Sequence, residues 1–412
     1  MKSPVIKAFV FLTAVSMLCA CKDGVNTDGV LQITKNDVIH LDGTLEENFM
    51  DSWEYILLED GSNESIVPGT VLQVLYDDGL YFIRSNKAYF DSFKVFDSTG
   101  HYLNDISCPG RARNEYVYVY DWILERNKNE VLLVTSKGYD SPVEIKRFDY
   151  QGNYLGLTVT DTLDSYHNYH EISKFMPDGS LFIRSALTLY PTYDYFYIHP
   201  DGHISEPMDK IDYHLMVYNQ NKIDQEVSEA VKMVGEVPSM QIREEFINQN
   251  ADTTYLMRML DNRIYKIWGD NSECVANLAF LPSLPEKTKY SMTWDEMDDD
   301  YIPNYYIDFK DYVKVWYYNH GEYLFEKSTS KVYHMDRDTM DAYFPDHRRG
   351  AAYGNDIVAW VDVEDIPTRL AEMESPDYNH RYSPQVEEFY RKARDCENPA
   401  IIIGHYGKRK TK

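Results

Sequence analysis

Two guanidinium groups one residue apart, Arg111 and Arg113, lie in the stretch Gly110-Arg111-Ala112-Arg113-Asn114-Glu115-Tyr116. Planar cations with forked donors can grip one carboxylate from two sides, and a glycine lets the backbone bend to present them. The competing arrangement is internal: Arg111 pairs with Glu115 and the loop merely stiffens. His167-Asn168-Tyr169-His170-Glu171 brings two imidazoles and a carboxylate close together in the chain. Such groups ligate zinc when they converge. This spacing is not that of a His-Glu-x-x-His helix, so the segment reads as a polar loop with no metal. Asp295-Glu296-Met297-Asp298-Asp299-Asp300 offers oxygens to calcium but lacks the glycine and spaced ligands of a calcium loop. It reads as a solvated acidic loop. No Gly-x-Ser-x-Gly elbow, phosphate loop or dinucleotide fingerprint occurs, and no cofactor is called for. Among 67 acidic residues, the order of the chain does not select the two carboxylates that would face one sugar in glycoside hydrolysis.

The elements that must position these groups repeat. Phe93-Lys94-Val95-Phe96-Asp97-Ser98-Thr99-Gly100-His101-Tyr102-Leu103 is a hairpin in which Asp97 can bond its own backbone and Gly100 can take a positive φ. The pattern returns around Asp149 and Gly152, and more loosely around His199 and Gly202. Ahead of each hairpin runs an aligned apolar segment, residues 78–85, 129–136 and 178–185, ending in Ser85, Ser136 and Ser185. A period of about 50 residues made of strands and turns is that of a propeller blade rather than a helical solenoid. The predicted fold is therefore all-β, a six-bladed β-propeller with seven blades as the runner-up. Residues from about 72 to 205 form three consecutive blades, each an inner strand followed by an outer hairpin.

At the start, Lys2 and Lys7 precede an apolar run over residues 8–18 and then Leu18-Cys19-Ala20-Cys21. That run is shorter than the roughly 20 apolar residues of a membrane span and has the layout of an export signal. Its end resembles a bacterial lipobox, which makes Cys21 the lipidated residue and residues 1–20 the signal peptide. Several acyl chains would anchor the protein durably, since each buried methylene contributes about 0.8 kcal/mol. Residues 21–36 are then a tether, 37–407 one propeller domain and 408–412 a basic tail. The formal charge is −26, and loss of Lys2 and Lys7 deepens it. Such a chain repels nucleic acid and anionic headgroups, so the membrane is met through the N-terminal lipid only. Cys108, Cys274 and Cys396 lack the close pairing of zinc sites.

Beyond the third blade, residues 208–250 carry Val227, Ala230, Val231 and Val234 at helical spacing, an insertion with some helix. Strand patterns resume at 254–260, 263–268, 323–327, 331–335 and 356–361. Ser383-Pro384 makes a helix start, and Val386, Phe389, Tyr390 and Ala393 continue a short C-terminal helix until Asn398-Pro399. Ala400-Ile401-Ile402-Ile403 is a last strand that can pair with N-terminal strands, counted with the closing blade, and shut the ring.

The 110–116 segment resembles the Gly-Arg-Gly-Pro-Asn-Glu-Tyr-like loop of the six-bladed propeller lipoproteins of Bacteroidetes, relatives of NHL-type propellers. Ala112 and Arg113 replace that loop's glycine and proline. Arg263-Ile264-Tyr265-Lys266-Ile267 and the ending after Asn398-Pro399 are similar to the family's as well. The resemblance implies the propeller fold and a cell-envelope setting, and brings no catalytic residues. In that group a lysine and acids just after the lipidated cysteine accompany surface display; Lys22-Asp23 matches in part, so the expected place is the outer membrane, with the cell surface preferred over the periplasm. The expected function is binding of a protein, peptide or glycan on one propeller face, with Arg111, Arg113, Tyr116 and His170 as contacts. A propeller hydrolase or lyase acting on polysaccharide or peptidoglycan fragments, and a structural component of a surface complex, are the alternatives.

Overall fold

The computed structural model describes residues 30–42, 48–88, 90–137, 143–160, 170–176, 178–185, 195–203, 245–246, 253–257, 262–268, 271–280, 303–317, 321–335, 350–378 and 382–409. Three N-terminal strands, β1 (Leu31–Ile33), β2 (Val38–His40) and β3 (Met50–Leu57), precede the blades. Blade 1 holds β4 (Thr70–Asp77), β5 (Leu80–Lys87), β6 (Phe90–Phe96) and β7 (Tyr102–Asp105). Blade 2 holds β8 (Tyr118–Glu125), β9 (Glu130–Ser136), β10 (Glu144–Asp149) and β11 (Tyr154–Val159). Blade 3 holds β12 (His170–Phe175), β13 (Leu181–Ser185) and β14 (Tyr195–Ile198). A two-residue strand, β15 (Glu245–Phe246), lies beside blade 5. Blade 4 holds β16 (Thr254–Met257), β17 (Arg263–Trp268) and β18 (Asn271–Leu278), and blade 5 holds β19 (Pro303–Asp308), β20 (Tyr312–Tyr317), β21 (Gly321–Glu326) and β22 (Lys331–Met335). Blade 6 holds β23 (Gly350–Tyr353), β24 (Asp356–Val361) and β25 (Ala400–Tyr406). The protein is a six-bladed β-propeller, with six blades rather than seven.

First strands of neighbouring blades touch: β4 with β8, β8 with β12, β16 with β19, β19 with β23, and β23 with β4. They line the axis. The continuous apolar runs expected as inner strands are second strands instead, β5, β9, β13 and β24. A second strand is flanked by strands on both edges and by blades on both faces, so both sets of alternating side chains are covered. All of β9 is buried, whereas first strand β4 is partly exposed.

The glycine of the recurring hairpin has a second role besides its turn. Gly100, at φ +84°, faces the Leu57 carbonyl of β3; a Cβ there would lie 2.2 Å from that oxygen. Gly152 (φ +81°) faces the Asp105 carbonyl of β7, and Gly202 (φ +90°) the Val159 carbonyl of β11, at 2.4 and 2.5 Å by the same measure. In blades 1 to 3 the outer turn thus rests against the outermost strand of the blade before it, at a distance only glycine allows. Asp97 accepts from the Thr99 and His101 amides, and Asp149 from the Gln151 and Asn153 amides, as the sequence predicts.

Ring closure is made by β3, antiparallel to β25 with Leu57 opposite Ala400 and Trp53 opposite Gly404. The earlier strands go elsewhere. β1 adds to β18 and β2 to β22, both in parallel, so the N-terminal segment is a strap over the rims of blades 4, 5 and 6. The sequence assigned 21–36 to a tether and the N-terminal strands to the closing blade. Ile33 is 3 % exposed and packs with Ile264, Ala276 and Leu278, and that burial fixes residues 31–33 as a strand.

Two α-helices occur among the described residues, α1 (Asp365–Met373) and α2 (Pro384–Ala393), both packed into the core of blade 6. The Ser383 hydroxyl accepts from the Val386 amide at 3.3 Å, and Val386, Phe389, Tyr390 and Ala393 are buried, as expected. α1 was not foreseen, because only Ile366 and Leu370 of its turns are buried and Pro367 argues for a break. None of the helices of the described residues is long and apolar enough to cross a membrane. The expected helix at 208–250 lies, apart from β15, outside the described residues.

Candidate functional site

Within a blade the strands alternate in direction, so the second-to-third turns and the blade-to-blade connections share one propeller face, and the glycine hairpins lie on the other. The 108–116 loop, the start of β12 with His170 and the β5–β6 turn fall on the first face. There an open cleft of about 260 Å³ lies between blades 1 and 2, lined by Leu72, Arg84, Asn86, Asp91 and residues 116–119.

Its floor is polar and held by internal hydrogen bonds. Arg84 Nη2 donates to Asp91 Oδ2 at 2.7 Å and to the Val119 carbonyl at 3.0 Å, while Nη1 reaches the Tyr120 carbonyl at 3.2 Å and Asp121 Oδ1 at 3.4 Å. Asn86 Nδ2 donates to Asp91 Oδ1 at 2.7 Å. One guanidinium between two carboxylates leaves the floor with a net negative charge. The rim is apolar and open to water: Leu72 is 45 % and Tyr118 59 % exposed, and Phe90, beside Asp91 at the hairpin tip, 60 %. First strands β4 and β8 both bulge here, near Leu72 and Tyr120. A bulge turns side chains out of the regular alternation.

Tyr116 is buried at 2 % exposure. Its ring packs edge-on against Phe93 at 5.4 Å and its hydroxyl donates to the Asp91 carbonyl. Burial, with Asp91 adding to it, pushes the phenol far above its ordinary range, so it serves as a neutral donor. Arg113 stacks over Tyr154 of β11, 5.3 Å from the ring centre, with Nε donating to the hydroxyl at 3.3 Å. Arg111 is exposed and has no ion pair among the described residues. Glu115 turns inward: Oε2 accepts from the Ala112 amide at 2.7 Å, and its carboxylate covers Gly110 so closely that a Cβ there would collide with it. Lys146 donates to the Glu115 carbonyl, which fixes the loop to blade 2. The structure therefore gathers Tyr116 with the cleft and sets Arg113 toward the rim of blade 2.

His170 opens β12, opposite Ser185. The other residues of the histidine-rich stretch up to 169, the acidic run at 295–300 and Cys21 lie outside the described residues. Among the described residues no group of three or more His, Cys, Asp or Glu could hold a metal ion, and Cys108, Cys274 and Cys396 are not joined to one another by a disulfide. Burial, then Glu115, raises the Cys108 thiol, which disfavours the nucleophilic thiolate.

Sequence reasoning found the loop beside the cleft but missed its floor. Arg84 and Asp91 had no local signature, since they meet across a hairpin; the exposed Phe90 preceding Asp91 was the one available hint.

With this geometry in hand, comparison with known proteins defines the class first: over residues 30–405 the chain matches the family "Domain of unknown function (DUF4934)", and it belongs to that family. No curated protein matches it. Among solved structures it is similar to a protein of Bacteroides fragilis NCTC 9343 named for its predicted export, at 15 % identity and a TM-score of 0.59, covering 92 % of this chain and 100 % of that one. A DUF4221 family member from Bacteroides vulgatus ATCC 8482 matches at 7 % identity and a TM-score of 0.46, covering 89 % and 98 %.

Proposed function

We propose that this protein is an exported lipoprotein, anchored through Cys21, whose propeller binds a glycan in the cleft between blades 1 and 2. The export signal and lipobox-like segment support the address, as does the name of the B. fragilis relative. The observation that carries the ligand class is the pairing of an exposed tyrosine, Tyr118, with the planar polar groups of Asn86, Asp91 and Arg84. Aromatic faces present an amphipathic body to sugar C–H groups, and fixed carboxylate and amide oxygens can accept from hydroxyls. Arg111 is exposed on the adjoining loop, and its guanidinium would complement an acidic substituent on such a glycan.

The test is a thermal-shift screen of the soluble chain from Lys22 against glycans and peptides, because a ligand that binds only the folded state raises its melting temperature. A shift with a glycan that is lost in Tyr118→Ala supports the reading. A shift with peptides alone, or a glycan shift unchanged in Tyr118→Ala, overturns it.

A further inference from the structure

The strap carries a histidine that meets another across the sheet. His40 ends β2, and in the parallel pairing its register partner on β22 is His334. The two Nδ1 atoms lie 3.0 Å apart, with ring centres 4.9 Å apart and planes at 77°. His334 is held in place: its ring packs on Tyr323 at 4.8 Å, and its carbonyl accepts from the Leu41 amide at 3.0 Å. His40 is exposed, so water reaches the pair. Two imidazole nitrogens at this distance can share one proton, carried by one Nδ1 and accepted by the other.

We infer that His40 and His334 form a two-histidine site for a divalent transition metal, copper(II) or nickel(II), that pins the N-terminal strap to blade 5. Both Nδ1 atoms become ligands. The ring that carried the Nδ1 proton is reprotonated at Nε2, so a neutral pair takes up the ion without net proton release, and water fills the remaining positions. With metal–nitrogen bonds of about 2.0–2.1 Å, a 3.0 Å nitrogen separation subtends about 95° at the metal. That suits neighbouring corners of a square-planar or tetragonal site, the preference of copper(II) and nickel(II), better than the wider angle of tetrahedral zinc. The formal charge of −26 draws divalent cations toward the protein.

Copper(II) titration of the purified protein, followed by electron paramagnetic resonance, tests this. One saturable site with two nitrogen donors is expected in the wild type. That spectrum should be lost in both His40→Gln and His334→Gln, and copper should slow amide exchange at Leu41 in the wild type alone. A two-nitrogen spectrum retained in either variant, or a wild-type spectrum with fewer than two nitrogen donors, overturns the inference. Because His40 is exposed, His40→Gln leaves the core intact, which circular dichroism verifies, and that variant alone decides the question if His334→Gln fails to fold.

Discussion

Replacing Asn398 with alanine should loosen the ring at its closure. The side chain is 1 % exposed and makes three bonds to the segment that follows β3. Its Oδ1 accepts from the Val67 amide at 2.7 Å, and its Nδ2 donates to the Glu59 and Ser65 carbonyls at 2.5 and 2.9 Å. A net contribution of about 1 kcal/mol per bond gives roughly 3 kcal/mol, and a buried amide left without a partner adds about 1–3 kcal/mol. Expected losses of about 4 kcal/mol are a large share of a total stability of about 5–15 kcal/mol. Asn398→Asp should be worse at neutral pH, because it keeps the acceptor for Val67 but turns a buried, charged oxygen toward two carbonyls. Urea unfolding reads both through the midpoint at unchanged slope. A loss below about 1 kcal/mol for the alanine variant, or an aspartate variant as stable as the alanine one, would refute the reasoning.

Gly100→Ala should cost about 2 kcal/mol or more, through positive φ and collision with the Leu57 carbonyl, whereas Gly61→Ala, with open space around it, should be near neutral in the same unfolding assay. Arg84→Met should lose about 3–5 kcal/mol, since Asp91 and Asp121 would be left buried without their cation; a loss under about 1 kcal/mol would show that water replaces the guanidinium. The Asp37 carboxyl is held below its ordinary range by bonds from the Thr34 hydroxyl and amide. A depressed folded value means stability that is present above the unfolded value of about 3.9 and lost as pH falls through the folded one. Amide protection in β1 and β2, taken relative to the intrinsic exchange rate at each pH, should therefore fall in strong acid, and in Asp37→Asn at neutral pH.

The architecture was legible because its signals are local and repeated. Aspartate–glycine turns at 97–100 and 149–152, the apolar second strands and the Ser383-Pro384 helix start each state their structure within a few residues. The place of those strands in a blade was not legible, since a continuous apolar run says that both faces are covered but not by what. Of the strap, the strand at 38–40 was legible, but β1 was not, for a related reason: Leu31 and Ile33 are too short a stretch to announce a strand, and only β18, far along the chain, makes them one. The cleft shows the same limit. Gly110 and Glu115 marked a built loop, yet the Arg84 contacts with Asp91 and Asp121 arise from a hairpin and from the packing of two blades.

The pairing of β3 with β25 sets an order of events during synthesis. β3 emerges before blade 1, whose Gly100 can settle against it at once, but its sheet partner is made only after every blade between them. Until then the nascent protein carries an unsealed strand edge that already has the register of its missing neighbour. Such an edge can accept the same strand from another copy. Chains cut short before Ala400 therefore lack their natural seal, and crowded unfinished chains can exchange their C-terminal strands.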